Sequence, residues 1–418
     1  MSSSTKSILI IGCFDTKAAV FAYLYGCIVA RGEKVLTINT GVMGSTGLFP
    51  VDFECDAVAL EGGESIMELR NKRDRGYAMD VMGKGAARIV SGLVAQKRVK
   101  GAIGMGGGGG TYIALASMQE IPFGIPKICL STIASKDLAR QIGHKDITLI
   151  PSVVDVAGLN SVIQVLVGQA AEAICAMSNV VVSEKVVSAG TIAVSMFGNT
   201  TACVDKCTEL LQMHGYEVLA FHANGVGGKA MEALIREGVF SAVLDITTTE
   251  LADELCDGIC SAGPQRLEAA TETGLPQVVV PGCLDMVNFA HRDTVPKKFM
   301  GRHLYSWAPD VTLMRTNEEE NRILGKTLAQ KLNRSSAPVT VVLPLKGLSQ
   351  IGSEDGIFYN PGADRILFDS IKDNLNEKAE IVEVDANIND TVFAMELVAR
   401  LLASMPVKLT SQQKIYKS

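Results

Sequence analysis

Five consecutive glycines stand at the centre of Gly104-Met105-Gly106-Gly107-Gly108-Gly109-Gly110-Thr111, between the apolar run Val99–Ile103 and the apolar-faced run Tyr112–Met118. A run of this kind maximises the chain entropy lost on folding, so a fold has reason to keep it only where side chains would obstruct something. Between a strand and a helix that something is often an anion, because bare backbone N–H groups at a helix start make a phosphate site. The chemistry expected of Gly106, Gly107, Gly108, Gly109, Gly110 and Thr111 is therefore anion binding through backbone amides. A flexible linker is disfavoured by the apolar segments close on both sides. There is no GxxxxGK[ST], and GxGxxG is met only because nearly every position is Gly.

Other expected strand ends carry matching residue types. Asp15-Thr16-Lys17 follows the apolar run Ser7–Gly12, and Thr40 with Gly41 ends the next strand. Asp15 could be a plain helix N-cap; the adjacent Lys17 adds a cation that a cap does not need. Ser131, Thr132 and Ser135 follow the strand Lys127–Leu130 and could donate to phosphate or ribose oxygens, or serve as ordinary turn residues. Asp155 and Asn160 are possible metal or substrate groups. In the second half, His222 precedes Ala223-Asn224-Gly225-Val226-Gly227-Gly228, a second glycine-rich loop opening a helix. An imidazole beside exposed backbone donors suits anion binding or proton transfer. His222, Asp245 and Arg292 are the candidate catalytic residues, although Asp245 could instead cap the helix behind it.

The elements needed to hold these residues follow from hydrophobic pattern. Ser7–Gly12 has the continuous apolar form of a parallel strand buried on both faces. A helical pattern from Ala18 to about Arg31, then Lys34–Asn39, makes a βαβ opening, and in open parallel sheets ligands sit at the carboxyl ends of the strands. A long amphipathic helix over Asp80–Gln96 leads to the strand before the glycines, and an apolar helix over Ser161–Met177 closes the first domain. Further strands are expected at Thr191–Ser195, Glu217–Phe221, Ala242–Asp245, Gln277–Val280, Val311–Met314 and Val339–Leu343. The fold class is α/β: two Rossmann-like subdomains, residues 1–183 and 184–418, with mainly parallel sheets and a cleft between them. Residues 42–73 form either a mobile cover or a solvated loop, and the charges of Glu68–Arg75 read as solvated surface.

Composition sets the limits. The 418 residues are 47% hydrophobic, 20% charged and 5% aromatic, with 40 glycines and a net charge of −6. This is the profile of an α/β protein with many tight turns. A nucleic-acid surface would need a basic stripe or stacking aromatics; the chain has no long basic cluster and a single Trp, which leaves room for a local basic patch alone. The ten cysteines show no CxxC pair and no zinc spacing, so no metal ligands are assigned and the thiols are expected to be buried and reduced. The N-terminus lacks the build of a signal peptide, and Val162–Met177 is short of a bilayer span, so a soluble cytoplasmic protein without membrane contact is expected.

With these segments in hand, the chain resembles the Tm-1-like ATP-binding domain family, also called UPF0261. The resemblance rests on Gly12–Lys17, Gly104–Thr111, Ser131–Ser135, Pro151–Asp155, Phe221–Gly228, Asp245–Glu250 and Pro281–Phe289, in order along nearly the whole chain. It implies two Rossmann-like subdomains and ATP binding, with Gly106–Gly110 and Thr111 on the phosphates and Thr16 and Lys17 opposite them. Ser131, Thr132 and Ser135 would lie at the same pocket, with Asp15 and Thr40 near it. The antiviral role of a plant member is not carried over. Two functions compete. One is an enzyme using ATP and Mg²⁺ on a small anionic metabolite in the cleft, near His222, Asp245 and Arg292. The other is a nucleotide-binding regulatory protein whose homo-oligomer surface, in a dimer or higher assembly, is ordered by ATP.

Overall fold

A computed structural model describes residues 6–181 and 188–405. The chain divides into two compact units, Met1–Lys185 and Val186–Ser418. Both are Rossmann-like α/β structures built on a parallel sheet.

The first sheet has five parallel strands, β1 (Ser7–Gly12), β2 (Val35–Asn39), β3 (Val99–Gly106), β4 (Lys127–Ser131) and β5 (Ile147–Pro151), in the order β2-β1-β3-β4-β5. Every residue of β1 is buried, as its unbroken apolar run requires. Ile8 and Ile10 pack with the helices Ala18–Ala30 and Ser161–Ser178. Leu9 and Ile11 pack on the opposite face with Cys55–Gly62, Arg75–Ala95 and Gly108–Met118. The apolar faces of these helices lie against a sheet that buries both of its own, which is the doubly wound arrangement. Among the described helices, Ser161–Ser178 is the one long and apolar enough to cross a membrane. Its Ile163, Val167, Ala170 and Ile174 are core residues of this unit.

The second unit has a six-stranded parallel sheet of β6 (Thr191–Met196), β7 (Glu217–His222), β8 (Ala242–Thr247), β9 (Gln277–Gly282), β13 (Val339–Pro344) and β14 (Glu380–Val384), ordered β14-β13-β9-β8-β6-β7. Between β9 and β13 the chain inserts a three-stranded antiparallel sheet, β10 (Met286–Phe289), β11 (Leu304–Ala308) and β12 (Val311–Arg315), ordered β10-β12-β11. Ile192 and Val194 of β6 pack with the helices Thr201–Met213 and Thr391–Ser404. Val341 and Leu343 of β13 pack on the other face with Glu318–Leu332 and Pro361–Asn374.

The two sheets share a strand order. In each, the first strand lies between the second and the third, so the connections reverse direction beside it. That reversal leaves a crevice at the carboxyl edge between β1 and β3, and again between β6 and β8, where open α/β sheets bind ligands.

Candidate functional site

At the first crevice β3 runs through Gly104, Met105 and Gly106, three residues further than the apolar run alone predicts, and the helix Gly108–Met118 starts inside the glycine run. None of Gly106–Gly110 has a positive φ, so handedness does not require glycine here, and close packing favours it at Gly106 and Gly109 but not at Gly108. A Cβ on Gly106 would stand 3.0 Å from the Cα of Gly110, and one on Gly109 would stand 2.7 Å from the sulfur of Met79. Gly108 faces open space. Gly107 caps the helix in an extended conformation without a side-chain bond. Among the described residues nothing accepts from the amides of Gly108, Gly109 and Gly110. These are the orphan donors at the positive end of the helix dipole.

The amides open onto a cavity of about 890 Å³ lined by Cys13, Asp15, Thr16 and Lys17 after β1, Thr40–Met43 after β2, Gly107–Gly110, and Asp155 after β5. Asp15 is not a helix cap. Its carboxylate accepts the amides of Thr16 at 2.7 Å and Met43 at 2.9 Å, lacing the two loops together. Gly41 comes so close that a Cβ there would meet the Asp15 carboxylate at 2.3 Å. Behind them the buried Asn39 accepts the amides of Phe14 and Gly41 at 3.2 and 3.0 Å. Lys17 donates from Nζ to the carbonyl of Val156. The Cys13 thiol lies 3.6 Å from the hydroxyl of Thr40, and burial pushes its pKa up, so it stays protonated.

Three arginines complete the wall. Arg70, Arg73 and Arg75 line the cavity, where their sequence context had suggested only a solvated face. Arg70 donates from Nε to the carbonyl of Val42 at 2.7 Å, tying the helix Ile66–Lys72 to the loop after β2. Arg73 ends that helix in the left-handed region, with φ 50°. Neither Arg73 nor Arg75 has a side-chain partner among the described residues, and a guanidinium nitrogen of Arg75 lies 3.5 Å from the Cβ position of Gly109. The three-residue step from Arg70 to Arg73 within a helical stretch, just before the helix leading to β3, was the available signal.

The hydroxyl residues divide into two groups. Thr111 and Ser131 are buried and bonded to each other, oxygen to oxygen, at 2.6 Å, bracing the helix Gly108–Met118 against the end of β4. Gly106 is buried with them, behind the open amides. Ser131, Thr132 and Ser135 instead line a smaller cavity of about 380 Å³ with Pro151–Asp155, and Asp155 borders both cavities. Asn160 caps the helix Ser161–Ser178 by accepting the amides of Val162 and Ile163.

The second crevice is built differently. The glycine-rich loop after β7, expected to expose its backbone donors, instead gives two of them to a carboxylate of the chain itself. Gly225 and Gly228 donate their amides to Glu250 Oε1 at 2.7 and 3.2 Å, and a Cβ on Gly228 would stand 2.1 Å from that carboxylate. Glu250 is held from its other side by Arg266, a fully buried arginine that the sequence reading passed over. Arg266 also grips both oxygens of Asp245, at 2.6 and 2.7 Å, and reaches Glu232 at 3.3 Å. Ser195 donates to Asp245 at 2.6 Å, so Asp245 is a buried structural anion rather than a helix cap. Burial depresses the Arg266 pKa, yet the surrounding carboxylates, Asp245 first, carry it well above the ordinary arginine value. Burial raises the pKa of Glu232. His222 is exposed, its ring 5.2 Å from that of Phe197, and Arg292 is exposed in the turn Arg292–Thr294. No hydrogen bond or ion pair among the described residues joins His222, Asp245 and Arg292 to one another. No group of three or more His, Cys, Asp or Glu among the described residues could hold a metal ion.

Fold and site together define a two-unit α/β protein with an amide- and arginine-lined cavity at the switch point of its first sheet. The chain belongs to the uncharacterised protein family UPF0261, whose N-terminal domain model matches residues 6–183 and whose C-terminal domain model matches residues 189–405. It is 45% identical over 401 residues to a UPF0261 protein of Clostridium tetani, covering 96% of this chain and 99% of that one. It is 41% identical to a UPF0261 protein of Rhizobium meliloti, covering 94% and 98%. The tomato ToMV resistance protein Tm-1(GCR237) is 39% identical over 342 residues, covering 79% of this chain and 45% of the tomato protein.

Proposed function

We propose that the first unit binds ATP and that the protein is an ATP-dependent enzyme acting on a small anionic metabolite. One observation carries this reading: the free amides of Gly108–Gly110 open onto a cavity whose unpaired guanidinium groups, Arg73 and Arg75, stand ready to neutralise phosphate. Its 890 Å³ lies in the range of small-molecule sites, which run to about 1,000 Å³. The apolar side chains of Leu69, Met79, Met82 and Ile113 in the same wall suit a base.

The residues present fit a triphosphate carried with Mg²⁺. Magnesium usually keeps several waters and binds through phosphates with one or two carboxylates. Asp15, oriented by two amides, is the group to accept hydrogen bonds from those waters. When bound, the ion would neutralise charge on the phosphates. The protein's own part is positioning and electrostatic stabilisation, which is most of what phosphoryl transfer asks. Lys17 and the arginines supply fixed positive charge, while the protonated thiol of Cys13 is a poor nucleophile.

Calorimetric titration with Mg-ATP, NAD and a sugar phosphate tests the binding half, with saturable binding of Mg-ATP expected. Preference for either other ligand overturns the nucleotide assignment. Substrate-dependent ATP consumption across sugar acids and other carboxylates tests the enzyme half; none across a broad panel counts against it.

A regulatory reading has its own support. Leu159, Val162 and Val165 are exposed apolar residues at the start of the helix Ser161–Ser178, a surface suited to a homo-oligomer contact. Light scattering with and without Mg-ATP separates the two, since only the regulatory reading requires size to follow nucleotide. The ten cysteines are free thiols, as a reducing cytoplasm maintains. No antiviral role is proposed: the chain is equally identical, at 39%, to the tomato resistance and susceptible proteins.

A further inference from the structure

The smaller cavity beside the glycine loop has a chemistry of its own. It lies between the loops that follow β4 and β5 and touches the larger cavity at Asp155. None of the residues lining it is Lys or Arg, whereas the larger cavity is bordered by Lys17, Arg70, Arg73 and Arg75. A phosphate therefore finds its counter-charge in the larger cavity and not here.

What the smaller cavity offers is hydroxyl recognition. Ser131 is committed to Thr111, and Ser152 donates to the carbonyl of Val154 at 2.6 Å. The hydroxyls of Thr132 and Ser135 and the carboxylate of Asp155 have no partner among the described residues. The far wall is held in one shape by an unusual turn. Val154 donates its amide to the carbonyl of Ser152 at 2.6 Å around Val153, whose φ of 61° is strained for a β-branched residue. Strain of this sort is tolerated where a wall must keep its form.

We propose that this cavity is a subsite for a vicinal diol. A carboxylate accepts two O–H bonds from neighbouring hydroxyls, and the neutral Thr132 and Ser135 complement the diol without attracting phosphate. The assignment rests on the nucleotide reading for its position: the Thr132 hydroxyl lies 3.7 Å from the Cβ position of Gly107, so the subsite's occupant abuts the phosphate anchor. The diol belongs either to the ribose of the bound nucleotide or to a polyhydroxylated co-substrate beside it.

Calorimetry distinguishes these sources, using Mg-ATP, Mg-2′,3′-dideoxy-ATP and D-ribose on the wild-type chain, on Asp155→Asn and on the double variant Thr132→Val, Ser135→Ala. With a ribose site, dideoxy-ATP binds the wild type about tenfold more weakly than ATP, and Asp155→Asn erases that difference. With a co-substrate site, the two nucleotides bind alike and D-ribose binds the nucleotide-loaded wild type at least about tenfold more tightly than the loaded Asp155→Asn variant. If Mg-ATP binds but neither variant changes any of the three isotherms, the diol subsite is overturned while the nucleotide reading stands. A wild type that binds D-ribose through Asp155 but no Mg-ATP overturns the nucleotide reading and supports the subsite. Binding of neither overturns both.

Discussion

The glycines at 106–110 and those at 225–228 each lead from a parallel strand into a helix, yet one set leaves its amides free and the other gives them away. In the first unit Gly108–Gly110 face a cavity. In the second, Gly225 and Gly228 hold the carboxylate of Glu250, which Arg266 anchors from behind. Both helix starts attract negative charge for the same reason. They differ in whether the chain supplies the anion itself. A glycine-rich loop is thus a statement about anion affinity, and occupancy depends on carboxylates distant in sequence.

The largest effect expected from breaking this comparison is in the second unit. Arg266→Met leaves Asp245, Glu250 and Glu232 buried without their cation. Removing one partner of a buried ion pair costs about 3–5 kcal/mol. Denaturant unfolding should show a loss of that size, and hydrogen exchange in β6 and β8 should accelerate. Mg-ATP affinity should not change. Stability within 1 kcal/mol of wild type would mean that the cluster does not hold this crevice closed.

Next in size is a pH effect in the same unit. Burial raises the Asp253 carboxyl from 3.8 to about 7, against the hydrogen bonds from Cys260 and Asn288 that lower it. Between those values the folded chain holds a proton that the unfolded chain has released. The contribution of Asp253 to stability therefore falls as pH rises through that window. Asp253→Asn, though it loses an acceptor at every pH, should gain on the wild type from pH 4 to pH 8 in paired unfolding curves. A parallel offset at all pH values would contradict the raised pKa.

Smaller effects are expected at the open site. Arg75→Ala should weaken Mg-ATP about tenfold, as loss of a charge-assisted bond does, and flatten the salt dependence of binding. Gly108→Ala should change stability by less than about 0.5 kcal/mol, because a Cβ there meets nothing within 4 Å. A greater loss would mean that the loop is more tightly packed than its geometry indicates.

Much of the fold was legible because buried parallel strands write themselves as apolar runs: β1 was readable to the residue, and the helix Ser161–Ser178 nearly so. Strands without that signature were not. Met286–Phe289 is four residues long behind a tight turn, and Glu380–Val384 alternates charge along a sheet edge. At the site, Asp15, Thr16, Lys17, Thr40 and Gly107–Gly110 were found from their place at strand ends, and they do share a cavity. Arg73 and Arg75 were hidden in a charged run that resembles any solvated surface. Arg266 was invisible for a different reason. Its partners lie 34, 21 and 16 residues away, and only the completed sheet brings them to it. For the same reason His222 looked poised beside free donors that Glu250 had in fact taken.

The difference between the two loops can be abolished by one substitution. Gly108→Asp would place a carboxylate at the first helix start, as Glu250 does at the second, with open space to receive it. Titration of Mg-ATP into wild type and Gly108→Asp, with far-ultraviolet circular dichroism to confirm an unchanged fold, is the most direct test. Saturable binding by the wild type and a loss of at least about 100-fold in the variant are expected. Equal affinity in two equally folded proteins would contradict that expectation.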